Sequence, residues 1–221
     1  MSQPLVLYIG EKNVSSWSMR AWVALTFKGV PFQERTILLG DDKDRAHRRK
    51  VSPTGKVPVL HHGGIVIPDS LAILEYLEET FPPPAHPALW PEPPRLRARA
   101  RWLAAAMHSG YPKIREGMSF NLCFLPEIPP APPEALAESR ELLSLWEQVL
   151  AEPDRGGGPF LCGAFSGADV MFATAAARLR AFGVSTADWP GARSWIAAVL
   201  DAPPVKLWMD AARALPPRAS Y

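Results

Sequence analysis

The sequence predicts an α/β domain of βαβ-ββα order followed by an all-helical domain, and three observations carry that reading. A continuous apolar run, LVLYI at residues 5–9, is followed by Met19, Trp22, Val23 and Phe27 at helical offsets and then by a second extended run. A proline-rich stretch, from Pro82-Pro83-Pro84 to Pro93-Pro94, interrupts the chain, and beyond it only helical periodicities recur. With 221 residues and 48% hydrophobic content, the chain can bury a sizeable core in two modest domains. The expected boundaries are 1–82 for the first domain, 83–94 for a stiff linker and 95–221 for the second.

Residues 5–9, bounded by Pro4 and Gly10, read as a central strand buried on both faces. Residues 16–28 read as a helix stopped by Gly29, and residues 32–39 as the next strand. The charged run DDKDRAHRRK at 41–50 bridges onward as a solvated segment or exposed helix. Residues 52–70, SPTGKVPVLHHGGIVIPDS, hold the densest punctuation in the chain. Val57-Pro58 follows a turn and precedes an apolar run, a setting suited to a cis X-Pro bond. Val59-Leu60 and Ile65-Val66-Ile67 make two strands joined through His61-His62-Gly63-Gly64. Asp69 and Ser70 then cap a helix carrying Leu71, Leu74 and Leu77.

In the second half, Leu96, Ala100, Leu103, Met107 and Ile114 predict one long amphipathic helix from 95 to about 117. The arginines at 95, 97, 99 and 101 scatter around its axis as a solvated face. Residues 118–133 read as a loop, and Leu142, Leu145, Trp146 and Val149 mark a further helix. Residues 169–180 are apolar nearly all round and predict a central buried helix, introduced by Ser166 and Asp169 as a capping box. Two more helices follow on either side of Pro203-Pro204.

Lys plus Arg number 24 against 22 Asp plus Glu, so a formal charge of +2 supports neither nucleic-acid nor anionic-membrane binding. Cys123 and Cys162 lie far apart, which argues against a disulfide framework or a zinc site and fits a reducing compartment. Neighbouring His61 and His62 would point to opposite faces of a strand, so a surface role is expected of them and no metal site. The amino terminus lacks a basic leader, and no run of about 18 apolar residues occurs. A soluble, cytoplasmic protein is therefore expected.

The run SPTGKVPVL…IPDSLAILEYLEE resembles the second half of the thioredoxin-like domain of cytosolic glutathione S-transferases. The resemblance implies glutathione as co-substrate. It implies that Val57, before Pro58, offers its backbone to the cysteinyl part, that Asp69 and Ser70 hold the γ-glutamyl end, and that Lys56 adds a contact to the tripeptide backbone. One basic residue of the 41–50 run would meet the glycine carboxylate.

Ser15-Ser16-Trp17-Ser18 opens the first helix, where serines ordinarily cap. The sequence NVSSWSMRAWVAL is, however, similar without gaps to the SSCSWRVRIAL type of motif in zeta-class transferases. That resemblance puts Ser15 against the glutathione sulfur with Ser16 as its neighbour. Trp17 stands where the zeta pattern has cysteine. Trp17, Met107, His108 and Tyr111 are expected to face a hydrophobic electrophile held between the domains. The resemblance further implies a homodimer that adds the thiolate to its electrophile. Alternatives are a glutathione-dependent isomerase of the maleylacetoacetate type and a non-catalytic assembly module.

Overall fold

A computed structural model describes residues 4–40 and 42–218. Its first half is a mixed four-stranded sheet in the order β2-β1-β3-β4, formed by β1 (Leu5–Ile9), β2 (Phe32–Thr36), β3 (Val59–His62) and β4 (Ile65–Ile67). β1 runs parallel to β2 and antiparallel to β3, and β3 turns into β4 through Gly63 and Gly64. Gly63 has φ 60°, a left-handed conformation that only glycine enters without strain.

β1 is central, but its two faces differ. Leu5, Leu7 and Ile9 are buried, whereas Val6 and Tyr8 are half-covered, Tyr8 lying 5.0 Å from the His61 ring. The strand expected to run to 39 stops at Thr36. The Ile37 amide still reaches the Ile9 carbonyl at 2.8 Å, but β1 turns away at Gly10 and offers no further rung, leaving Leu38 56% exposed.

Three helices belong to this half: α1 (Ser16–Lys28), α2 (Asp42–Val51) and α3 (Ser70–Thr80). The charged run resolves as the exposed helix α2, with Asp42 and Asp44 in its first turn and Arg48, Arg49 and Lys50 in its last, the order that complements the helix dipole. Gly29 closes α1 in the left-handed conformation, φ 65°. His61 and His62 are not simple surface residues. Each is half-buried and hydrogen-bonded at 2.7 Å, His61 to the Val51 carbonyl and His62 to the Tyr76 hydroxyl, because the strand's alternation turns each ring toward a different helix.

The proline-rich segment is packed down rather than merely stiff. Leu89 and Trp90 are buried. The Leu89 carbonyl accepts from the Gly167 amide at 2.7 Å, and a Cβ on Gly167 would stand 2.3 Å from the Trp90 ring, so only glycine fits. Beyond it lie α4 (Pro94–Ser109), α5 (Pro112–Gly117), α6 (Pro133–Ala151), α7 (Gly167–Ala181), α8 (Pro190–Asp201) and α9 (Pro203–Arg213).

Four expectations are corrected here. The single helix over 95–117 is broken at Gly110-Tyr111, because Pro112 lacks an N–H and disfavours right-handed helical backbone in the residue before it; Tyr111 sits at φ 58°, in the left-handed region. Arg99 does not belong to a solvated face. It is 7% exposed and ion-paired with Glu152. The loop over 118–133 contains a 3-10 turn, Phe120–Phe124. Met107 faces the core, fully buried, as its place on the inner stripe of α4 dictates.

α7 is buried along almost its whole length. Its Asp169 carboxylate accepts from the Leu161 and Ser166 amides, the Ser166 hydroxyl and the Trp195 indole, at 2.8–3.1 Å. The Trp146 and Trp195 rings lie 4.4 Å apart, tilted by 50°, beside Phe172. α1 packs against α3 on one side and against α7 and α9 on the other, which joins the two halves along the helix that starts at Ser16.

Candidate functional site

Between the two halves a cleft encloses about 690 Å³, a size suited to a small molecule or short peptide. From the α/β half it is lined by Ser15, Ser16 and Trp17 at the start of α1, by Lys56, Val57 and Pro58 before β3, and by Asp69 and Ser70 at the start of α3. His108, Arg115 and Arg178 line it from the helical half.

Each of these groups is aimed by local chemistry. The Glu11 carbonyl accepts from the Val14 and Ser15 amides, at 3.0 and 2.9 Å, and this turn delivers Ser15 to the α1 cap. Ser15 Oγ accepts from the Ser18 amide at 3.2 Å and donates to Ser18 Oγ at 2.8 Å, while the Gly10 amide donates to Ser18 Oγ at 3.0 Å. Ser16 Oγ accepts from Arg178 Nη2 at 3.1 Å. Both serines are 6% exposed.

Val57-Pro58 is a cis peptide. Asp69 caps α3 with one carboxylate oxygen, accepting from the Leu71 and Ala72 amides at 2.9 Å each. Its other oxygen lies 3.3 Å from His108 Nε2. Ser70 is 1% exposed, and its hydroxyl has no hydrogen-bond partner among the described residues. A buried hydroxyl without a partner is costly, and this one lines the cleft.

The helical wall is cationic. Arg178 is 4% exposed and donates to the Met118 and Thr174 carbonyls, at 2.7 and 3.0 Å, besides Ser16. Trp17 is flanked by two guanidinium groups, Arg20 at 4.3 Å and Arg115 at 5.6 Å, and meets the His108 ring edge-on at 5.3 Å. Burial pushes the Arg20 pKa down to about 9, Arg178 and Arg115 add to the effect, and Asp69 opposes it.

The structure thus brings Ser15, Ser16, Trp17, Lys56, Val57, Pro58, Asp69, Ser70 and His108 to one cleft. It leaves Met107 in the core and Tyr111 outside, half-buried with its ring 6.1 Å from Phe172. Sequence reasoning missed Arg115 and Arg178, although an arginine inside the apolar run VMFATAAARL signals a buried charge that must be held. Of the basic residues in α2, Arg48 lines the cleft, anchored to the Leu38 and Gly55 carbonyls at 3.1 and 3.3 Å. Among the described residues no group of three His, Cys, Asp or Glu side chains could hold a metal ion, and no helix is long and apolar enough to cross a membrane.

A mixed sheet of this order, with a cis-proline turn before β3 and an appended helical bundle, defines a thioredoxin-like domain joined to a helical one. The chain belongs to the glutathione S-transferase family, matching its N-terminal domain over residues 14–80 and its C-terminal domain over residues 98–211. It is 37% identical over 109 residues to a probable maleylacetoacetate isomerase of Caenorhabditis elegans, covering 49% of each chain. It is 42% identical over 82 residues to glutathione S-transferase 1 of Dianthus caryophyllus, covering 37% of this chain and 36% of that one. The chain therefore spans about half the length, or less, of these curated relatives. A crystal structure of a glutathione transferase homologue from Burkholderia, solved with bound glutathione, superposes with a TM-score of 0.71 at 29% identity and covers 96% of this chain and 99% of its own.

Proposed function

We propose that the chain is a glutathione transferase of the serine type, cytoplasmic and homodimeric, acting on a small electrophile. The observation that carries the proposal is the buried, partnerless hydroxyl of Ser70 beside Asp69, in the cleft that also holds Ser15 and the Val57-Pro58 edge. An acid beside a donor hydroxyl at the positive end of a helix is the complement of a zwitterionic amino-acid end.

In this reading Asp69 takes the γ-glutamyl ammonium, and the Ser70 hydroxyl takes its carboxylate. Val57 takes the cysteinyl backbone, Lys56 the peptide and Arg48 the glycine carboxylate. Bound glutathione supplies the sulfur nucleophile. Ser15, at the positive end of α1, donates to that sulfur in preference to Ser18, because an anionic acceptor makes the stronger hydrogen bond. The result is a lowered thiol pKa and a nucleophile held in place.

A second reading, isomerisation with return of the thiol, is favoured by Arg115 and Arg178 on the co-substrate wall, which suit an acidic electrophile, and by the relatives named maleylacetoacetate isomerase. The exposed Trp102, Ile65 and Val66 support a homodimer, which light scattering would report as twice the chain mass. Titration calorimetry with glutathione, followed by a panel of neutral and acidic electrophiles, tests the whole. Binding followed by thiol consumption supports conjugation, binding with thiol regenerated supports isomerisation, and absence of binding contradicts both.

A further inference from the structure

After α9 the described residues stay against the molecule. Residues 216–218 run back to the loop that carries Ser15 and are tied there by three side chains. Asn13 Nδ2 donates to the Pro216 carbonyl at 2.8 Å, and Asn121 Nδ2 donates to the Arg218 carbonyl at 2.8 Å. The Arg218 guanidinium pairs with one oxygen of the Glu11 carboxylate. Asn13 and Asn121 are each 2% exposed, so their amides spend buried donors on this segment. Asn121 is itself held by the Ser119 hydroxyl at 2.6 Å.

Glu11 links this segment to the site. Its side chain is 10% exposed, and a carboxylate so buried requires donors. One is Arg218; the other is the Leu39 amide, at 2.8 Å, on the loop that forms a wall of the cleft. The main-chain carbonyl of the same residue accepts the Val14 and Ser15 amides. One residue therefore joins the 216–218 segment, the Leu39 wall and the turn that aims Ser15. The packing beside it transmits displacement: a Cβ on Gly10 would lie 2.5 Å from the Leu39 side chain and 2.9 Å from Ser15 Cβ.

We propose that residues 216–218 act as a strap for the catalytic loop, with Glu11 and Arg218 as positioning residues that hold Ser15 at the thiolate. The rate readouts of this proposal rest on the glutathione chemistry proposed above, whereas its geometric readout does not. Arg218 is the suitable probe, since its side chain is 31% exposed at the end of a segment that contributes nothing to the hydrophobic core.

The experiment compares the full-length protein with Arg218→Ala, Arg218→Lys and Glu11→Gln by amide hydrogen exchange, steady-state kinetics and thiol titration. Arg218→Ala should raise exchange at the Val14, Ser15 and Leu39 amides by about tenfold or more, with the helical core unchanged. It should lower kcat about tenfold and shift the bound-thiol titration to higher pH, while the KM for glutathione changes less than about threefold. Arg218→Lys should restore most of the rate, and Glu11→Gln should resemble Arg218→Ala. Unchanged exchange at those three amides in both Arg218→Ala and Glu11→Gln overturns the strap, even if rates fall. If the wild-type protein proves not to bind glutathione, the functional proposal fails by itself and the exchange data still decide the strap.

Discussion

The two walls of the cleft are built in different ways. The α/β wall meets a ligand with groups that the main chain fixes: Ser15 and Asp69 each cap a helix, and Val57 sits in a cis-proline turn. The helical wall meets it with side chains, His108, Arg115 and Arg178. A wall made of caps and backbone can recognise one constant partner and tolerates little change. A wall of side chains carries its recognition in groups that single substitutions change, although Arg178, bonded to the Met118 and Thr174 carbonyls, is also tied into the fold. Under the proposed function, the constant thiol substrate falls to the first wall and the variable electrophile to the second.

The largest expected effect undermines the helical wall alone. Asp169→Ala would leave four donors without their acceptor at the start of α7, the helix that carries Arg178. A loss of about 3 kcal/mol or more is expected in urea unfolding. Glutathione affinity of the folded variant should move far less, since the α/β wall is intact. A comparable loss of affinity would show that the walls are not independent.

Asp69→Ala acts on the other wall. Losing a charge-assisted contact should weaken glutathione binding by more than about 1.5 kcal/mol in calorimetry. An unchanged affinity in a folded variant would reduce Asp69 to a helix cap.

How much of each wall could be read in advance follows from the same contrast. Caps, turns and the Val57-Pro58 setting are short-range signals, so Ser15, Asp69 and Ser70 were legible within a few residues of chain, as were the element order and the capping box at Ser166. Arg178 contacts Ser16 across 162 positions, and no local pattern announces a partner at that range. The register of α4 was visible in its apolar stripe, which puts Met107 in the core and leaves its neighbour His108 to the cleft. The helix break at Tyr111 was legible in Pro112 and went unread, because the apolar spacing continued through to Ile114. The burial of Arg99 depended on Glu152, supplied from the end of α6.

A smaller effect, of opposite sign, sharpens the contrast. Arg20 is buried beneath Trp17, and its Nε and Nη1 have no partner among the described residues. Its pKa of about 9 lies well below the ordinary guanidinium range, so above pH 9 and up to that range the folded chain binds fewer protons than the unfolded one, and this group's contribution to stability rises with pH. Below pH 9 its charge is a cost. Arg20→Met should therefore raise stability by about 1 kcal/mol at neutral pH in urea unfolding, and a loss of similar size would mean that its stacking on Trp17 outweighs its desolvation.

The central claim is that a hydroxyl fixed by the α1 cap lowers the pKa of a bound thiol. The most direct measurement follows thiolate absorbance in the ultraviolet against pH, with glutathione bound, for wild type, Ser15→Ala and Ser16→Ala. Ser15→Ala should move the titration up toward the free-thiol value of about 8.5, with a rate loss that shrinks as pH rises and an affinity that changes far less than turnover. Ser16→Ala should be the milder variant. A titration left in place by Ser15→Ala but displaced by Ser16→Ala would contradict the account and give the catalytic role to the serine held by Arg178.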